Sequence, residues 1–188
     1  MSLPGGCDLV GLFAGAGLRA YGESVTQLSH ALQCAALARR DRADDEVVVA
    51  ALLHDVGHFV EHGIEEPGHH HGSQGAELVR AFVPARVAWL IEHHVVAKRY
   101  LCTVDARYVD ELSPASQRSY LEQGARLEPD ARLALETVPW FADALRVRRW
   151  DDAAKVPRTS SPPLIEYAPL LERYFGPQRW PGVPGIDR

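Results

Sequence analysis

Apolar side chains recur every three or four residues along much of the chain, which is the spacing of one face of an α-helix. Residues 27–38 show this pattern clearly, and Thr26 directly before them is a suitable N-cap. Asp44 and Asp45 can cap a second helix over 47–60, which is apolar nearly all round. We therefore expect that helix to be the most buried. Strand-like alternation is hard to find, so the pattern predicts an all-α protein.

Proline, glycine and capping residues divide the rest of the chain into further helices. Residues 61–68 read as a loop, and a shorter helix over 71–82 ends before Pro84. Ser113 followed by Pro114 is typical of a helix start, and that helix should stop at Gly124. Further helices are predicted at 84–94, 138–155 and 164–175. The last dozen residues are rich in proline and glycine and predict an extended tail.

Length and composition indicate a globular protein. A chain of 188 residues with 46% hydrophobic and 24% charged residues fits one domain, expected to span 1–188. A net charge of -5 with interspersed signs argues against a nucleic-acid partner. The longest nearly uncharged run, 9–18, is too short to cross a bilayer, and no basic segment precedes it. We expect a soluble, cytoplasmic protein with no membrane partner.

Histidine, rather than cysteine, is the residue type that points to chemistry. Cys7, Cys34 and Cys102 form no Cys-x-x-Cys pair, so neither disulfides nor a thiolate zinc site is indicated. Of the nine histidines, all but His30 lie between His54 and His94.

Adjacent His54 and Asp55 lie within the most apolar predicted helix. Burying an ionised carboxylate there without a cationic partner would cost several kcal/mol, so a metal ion is an economical explanation. His58, one helical turn after His54, faces the same side. The alternative is a structural histidine–aspartate pair in the core.

Other nitrogen and oxygen donors occur where a helix bundle can bring them to the same place. Ligand sets of imidazole and carboxylate without thiolate suit iron, manganese or zinc. The candidates are His30, the run His69-His70-His71, the pair His93-His94, and Asp151-Asp152.

The order His30, His54-Asp55, Asp151 resembles the metal-binding pattern of the HD-domain superfamily, an all-helical fold. His71 and His94 match the expanded set that binds two metals. Within the superfamily the chain resembles the small phosphonate-degrading oxygenases from about 21 to 157, with 158–188 forming a C-terminal helix and tail. The selective motifs are Gly22-Glu23, Val25-Thr26-Gln27-Leu28, Leu52 to His58, Ala97 to Cys102, Leu112 to Ser116 and Arg148 to Pro157.

The resemblance implies an HD-domain bundle with a dinuclear metal site in its core. Asp55 would bridge two iron ions, a mixed-valent Fe(II)/Fe(III) pair, and O2 would be the co-substrate. One iron would be held by His30, His54 and Asp151, and the other by His71 and His94. His58 would lie outside the ligand set and contact substrate or activated oxygen.

Basic residues near these ligands suit an anionic substrate. Lys98 lies one helical turn after His94, and Arg148 lies three residues before Asp151. Ser116, near a helix start, can add hydroxyl and amide donors. Glu23 resembles a family glutamate that meets a substrate ammonium. Tyr21 resembles a tyrosine that can occupy iron, but its spacing from Glu23 differs by one residue, so packing is an equal alternative.

The implied reaction is oxidative cleavage of the carbon–phosphorus bond of a 1-hydroxyalkylphosphonate, such as 2-amino-1-hydroxyethylphosphonate or its trimethylammonium analogue, to a carboxylate and inorganic phosphate. The partner is thus a small organophosphonate. A metal-dependent phosphohydrolase is the alternative, because the same six ligands can activate water. A third is an inactive HD fold that binds a ligand. The sequence leaves the oligomeric state open.

Overall fold

The computed structural model describes residues 9–19, 25–59 and 71–178. Every regular element in these ranges is helical, as predicted. The α-helices are α1 (Leu9–Gly15), α2 (Gln27–Arg40), α3 (Asp45–Leu53), α4 (His71–Val79), α5 (Ala85–Val104), α6 (Ala106–Glu111), α7 (Pro114–Glu122), α8 (Pro129–Glu136), α9 (Phe141–Ala153) and α10 (Ala168–Phe175). Short 3-10 turns occupy Ala16–Leu18, Val56–Phe59 and Leu164–Tyr167.

Capping residues start and stop these helices where the sequence predicts. The Thr26 side chain accepts a hydrogen bond from the Ser29 amide at the start of α2, and Asp44 accepts from Val47 at the start of α3. Ser113 caps α7, and Gly124 has a φ of 95° just beyond its end. Glycine adopts this left-handed conformation without a steric penalty, so it ends α7 cleanly.

The core lies around α3 and α5. All seven residues from Val47 to Leu53 are buried, so the expectation for α3 is confirmed. Helix α5 packs against α3, α4 and α9, and α2 packs against α3 and α9. This arrangement places α3 between α2 and α5, with α9 in contact with all three. A smaller cluster around Cys102, Leu112 and Tyr120 lies beneath α6 and α7.

Several predicted boundaries are wrong. The helix predicted over 47–60 stops at Leu53, and the chain turns through His54 and Asp55 into the 3-10 turn. An apolar run indicates that its residues are buried. It does not show whether they continue a helix or form a tight turn after it. Helix α4 ends at Val79 rather than 82, whereas α5 continues to Val104 rather than 94.

Three helices, α1, α6 and α8, were absent from the prediction. Each has at most eight residues, and α6 and α8 contain no buried residue, so neither carries a wide apolar face. The predicted 61–68 loop and most of the tail lie outside the described residues. The single-domain organisation over 1–188 stays a prediction. Within the described ranges, no helix is long and apolar enough to cross a membrane.

A close backbone contact joins the turn after α3 to α4. A Cβ placed on Gly57 would lie 2.0 Å from the His71 carbonyl oxygen and 2.9 Å from the Gly75 amide nitrogen. Only glycine permits this approach. The contact fixes the start of α4, and hence His71, beside Asp55.

We predict that Gly57→Ala lowers the free energy of unfolding by about 3 kcal/mol, since overpacking against backbone cannot be relieved by a side-chain rotation. Urea unfolding followed by circular dichroism measures the change. Gly15→Ala is the control, because a Cβ at that position meets no atom within 4 Å beyond its chain neighbours and its own helix backbone. An equal effect of both substitutions would contradict the packing argument.

Candidate metal centre and anion site

Asp55 lies at the centre of a buried cluster, and its two carboxylate oxygens face different groups of donors. It is 4% exposed and lies in the turn directly after the end of α3. His54 keeps helical backbone angles, with φ of -55° and ψ of -35°, and both side chains point into one interior space.

The first group of donors surrounds Asp55 Oδ2. His30 Nε2 from α2 and His54 Nε2 lie 3.6 and 3.4 Å from this oxygen. Asp151 Oδ1 from α9 lies 3.3 Å from His30 Nε2 and 3.9 Å from His54 Nε2. The two imidazole nitrogens are 3.1 Å apart.

The second group surrounds Asp55 Oδ1. His71 Nε2 from α4 and His94 Nε2 from α5 lie 3.6 and 3.5 Å from this oxygen. The two imidazole nitrogens are 3.0 Å apart. Each group contains three donors that one ion could contact: His30, His54 and Asp55 in the first, and Asp55, His71 and His94 in the second.

The backbone fixes which imidazole nitrogen carries the proton. Nδ1 of His30, His54 and His94 lies 2.7–2.9 Å from the carbonyl oxygens of Ala154, Ala51 and Ile91, respectively. A carbonyl oxygen only accepts, so Nδ1–H donates and Nε2 of the neutral ring presents a lone pair to the cluster.

These lone pairs require a cation. Two bare Nε2 atoms about 3 Å apart repel each other, and Asp55 Oδ2 and Asp151 Oδ1 are buried with no hydrogen-bond partner in the described part of the chain. Two ligands about 2.1 Å from one ion at right angles would be about 3 Å apart, which is the spacing found. The donors fit a metal ion in each group.

The pKa values agree with this conclusion. Burial opposes ionisation of Asp55, yet the neighbouring His54 holds the pKa of this carboxyl well below its usual range. Burial also opposes protonation of His54, but Asp55 and Cys34 raise its pKa well above the usual value. The negative charge of the cluster thus favours a cation beside these donors. Burial lowers the pKa of His71 and His94, which keeps both neutral.

A cavity of about 100 Å³ opens beside the second group of donors. Its lining includes Lys98 from α5 and both Ser116 and Ser119 from α7. Lys98 is 3% exposed, and its Nζ donates to Ser119 Oγ at 2.7 Å. Lys155 Nζ donates to Ser116 Oγ at 2.8 Å. Hydroxyl groups and buried lysine ammonium groups thus lie together at the cavity, and this combination suits a small anion.

Arg148 also lines the cavity, but carboxylates already occupy its guanidinium. Nη1 donates to Asp151 Oδ2 at 2.6 Å, and Nε donates to Asp152 Oδ2 at 2.9 Å. A contact between Arg148 and a tetrahedral substrate anion stays a prediction. The Ser116 amide is likewise occupied, because it donates to Ser113 Oγ at 3.2 Å as part of the α7 cap. The Ser116 hydroxyl is what faces Lys155.

His58 lies at the open side of the cluster rather than on the face of a continuous helix. Its side chain is 37% exposed, its Nε2 is 3.9 Å from Asp55 Oδ1, and its ring stacks on His71 with 4.2 Å between centroids. His93, the alternative to His94, instead stacks on Trp89 and lies away from the cluster. Tyr21, Glu23, His69 and His70 lie outside the described residues.

Sequence reasoning assigned no role to Ser119 or Lys155. Lys155 lies four residues after Asp151, so the one-turn spacing that identified Lys98 after His94 also applies to it. Ser119 has no comparable signal, since its role depends on how α7 packs against α5. Cys34 and Cys102 are buried and free, as expected, and Cys7 lies outside the described residues.

Comparison with known proteins agrees with this geometry. The HD domain family matches residues 28–133. A hydroxymethylphosphonate dioxygenase of Gimesia maris is 46% identical over 81% of this chain and 79% of its own length. A [1-hydroxy-2-(trimethylamino)ethyl]phosphonate dioxygenase (glycine-betaine-forming) of Leisingera caerulea is 34% identical over 87% of this chain and 86% of its own length.

The HD match covers more than half of the chain, and both relatives cover more than two thirds of it at over 30% identity. The HD-domain fold implied by the sequence is thereby confirmed. The chain belongs to the HD-domain family, and it is a dioxygenase of that family.

Proposed function

We propose that the protein holds two iron ions and uses O2 to cleave the carbon–phosphorus bond of a 1-hydroxyalkylphosphonate, producing a carboxylate and inorganic phosphate. The observation that carries the proposal is the arrangement of Asp55, which turns one oxygen to each of two histidine groups. The names of the two relatives support the substrate class, because both act on phosphonates with a hydroxyl on the carbon attached to phosphorus.

The overall reaction balances with O2 as the sole co-substrate. One molecule of R–CH(OH)–PO3H2 and one of O2 contain the atoms of one R–COOH and one H3PO4. The carbon is oxidised, O2 is reduced, and the C–P bond is replaced by a C–O and a P–O bond. Hydrolysis of a phosphate ester would instead consume water, so dependence on O2 separates this proposal from the phosphohydrolase alternative.

In this proposal His30, His54 and Asp151 would hold one iron, His71 and His94 would hold the other, and Asp55 would serve both. Nitrogen and oxygen donors without thiolate suit iron. When bound, a mixed-valent Fe(II)/Fe(III) pair supplies the one-electron chemistry that O2 activation requires. The protein contributes orientation and charge.

The phosphonate binds in the cavity beside the second group of donors, where Lys98 neutralises part of its charge. Ser116 Oγ accepts from Lys155, which leaves its own hydroxyl hydrogen available to donate to a phosphonate oxygen. Ser119 Oγ accepts from Lys98 and donates its own hydrogen to the Ser116 carbonyl oxygen at 3.2 Å, so it positions the Lys98 ammonium beside the anion. Arg148 adds positive charge to the wall while its fork remains paired to aspartate.

His58 is positioned to handle a proton at the open side of the site. Its Nε2 faces Asp55 Oδ1, and its stacking on His71 fixes the ring plane. We assign to this nitrogen a hydrogen bond to the bound substrate. Other residues would contact the substituent R, and the predicted contacts are Tyr21 and Glu23.

The first prediction concerns O2. Protein reconstituted with Fe(II) without air should release phosphate from hydroxymethylphosphonate or its 2-amino or 2-trimethylammonio derivatives only after O2 is admitted. Phosphate assay and an oxygen electrode should report equal amounts of phosphate formed and O2 consumed. Phosphate release without O2, or from nucleotides with Mn²⁺, would indicate hydrolysis and contradict the proposal.

The second prediction concerns metal binding. Asp55→Asn should weaken the binding of both iron ions by more than about 100-fold, since loss of a shared ligand exceeds the effect of losing an outer-shell partner. Asp151→Asn should weaken one ion only. Anaerobic Fe(II) titration measures both affinities, and Asp110→Asn, at an exposed carboxylate on α6, is the control. Loss of a single ion in Asp55→Asn would show that Asp55 does not bridge.

The third prediction concerns pH. Burial lowers the pKa of Lys98 to about 7, and the charge of Arg148 adds to this shift. The protonated amine binds the anion, so kcat/KM should fall as pH rises through this value. Lys98→Arg keeps its charge above pH 7 and should move that fall to higher pH, whereas Lys98→Met should raise KM below about pH 7 and approach the wild-type value above it. An unchanged profile in Lys98→Arg would exclude Lys98 as the titrating group.

A further inference from the structure

A row of hydrogen bonds runs from helix α6 to the first group of metal donors. The Tyr108 hydroxyl donates to Asp152 Oδ2, the same oxygen that accepts from Arg148 Nε at 2.9 Å. Arg148 Nη2 donates to Asp152 Oδ1, and Arg148 Nη1 donates to Asp151 Oδ2 at 2.6 Å. Tyr108 and Asp151 are thus connected through two intervening side chains.

This row gives the two oxygens of Asp151 different surroundings. Oδ2 is hydrogen-bonded to Arg148, whereas Oδ1 is buried, has no hydrogen-bond partner among the described residues and lies 3.3 Å from His30 Nε2. Lys155 Nζ lies 3.7 Å from Oδ1, beyond hydrogen-bond distance. A carboxylate with one oxygen occupied presents the other to a metal ion in a fixed orientation.

The plane of the Arg148 guanidinium depends on Asp152. A carboxylate that accepts from two guanidinium nitrogens holds the group in one plane, because both bonds must remain aligned. Arg148 and Asp151 are 4% and 1% exposed, so solvent does not compete strongly for these groups. Among the described residues, the cavity lining includes Arg148 and Asp151 but neither Asp152 nor Tyr108.

We propose that Tyr108 and Asp152 are positioning residues for the first metal: they orient Arg148, which occupies Asp151 Oδ2 and leaves Oδ1 directed at the ion held by His30 and His54. The inference rests on the proposed dinuclear site. It assigns no substrate contact to either residue. Their effect passes through Arg148 to a single ligand of a single ion.

The test is anaerobic Fe(II) titration, without substrate, of the wild type and of Tyr108→Phe, Asp152→Asn and Asp152→Ala. Removing an outer-shell partner typically weakens metal binding about 10–100-fold, and Asp152→Ala should lie in that range for one ion. Asp152→Asn should have a smaller effect, because its amide oxygen still accepts from Arg148. Tyr108→Phe should weaken the same ion by about threefold to tenfold, below that range since one neutral donor is lost.

The affinity of the second ion should not change in any of the three variants. The same substitutions in a His71→Ala background, which impairs the second group of donors, should report on the first ion alone. Tyr100→Phe is the matched control: it also removes a hydroxyl that donates to a carboxylate, that of Glu136 at 2.9 Å, and should leave both affinities unchanged. Thermal melting of each metal-free protein checks folding.

The outcomes separate orientation from simple charge. If Asp152→Asn equals Asp152→Ala and Tyr108→Phe equals the wild type, only the charge of Asp152 matters and the inference is overturned. Equal weakening of both ions, or a large fall in the melting temperature of every metal-free variant, also overturns it. Failure of the wild type to bind two ions would refute the proposed function itself, and this result is visible before any variant is compared.

Discussion

A buried carboxylate shared between two sets of imidazole nitrogens governs the organisation of this protein. Asp55 is nearly inaccessible to water, and burying its charge without a cation would be strongly unfavourable. Backbone carbonyl oxygens accept hydrogen bonds from Nδ1 of three histidines, so the Nε2 lone pairs of these rings face the same cluster. These lone pairs add to the electrostatic cost of the buried carboxylate. Cations at the cluster relieve both costs, so the fold is built for metal occupancy.

The helices that supply the metal-binding donors come from separate parts of the chain. Donors come from α2, the end of α3, and helices α4, α5 and α9, which are far apart in sequence but pack around one interior. The close approach of Gly57 to α4 brings the second histidine group within reach of the same carboxylate. Lys98 lines the adjacent cavity and Lys155 contacts its Ser116, so the proposed metal and anion sites lie side by side.

Much of this organisation is predictable from sequence because it is local. Caps such as Thr26 and Ser113 act over three residues, and the apolar run before His54 shows that the site is buried. The choice between His93 and His94 depended on the resemblance, and the structure shows its physical reason: His93 stacks on Trp89 while His94 faces the cluster.

What sequence reasoning missed depends on tertiary contacts. The end of α3 at Leu53 and the pairing of Arg148 with Asp152 are set by packing between elements, which periodicity does not report.

The most direct test of the proposal that Asp55 is shared by two iron ions is the magnetic coupling between those ions. Electron paramagnetic resonance of the half-oxidised, iron-loaded protein at low temperature detects it. The account predicts one signal from a coupled Fe(II)–Fe(III) pair with a total spin of one half, which addition of the substrate perturbs. A signal from isolated high-spin Fe(III), with no coupled component at any iron loading, would contradict the account.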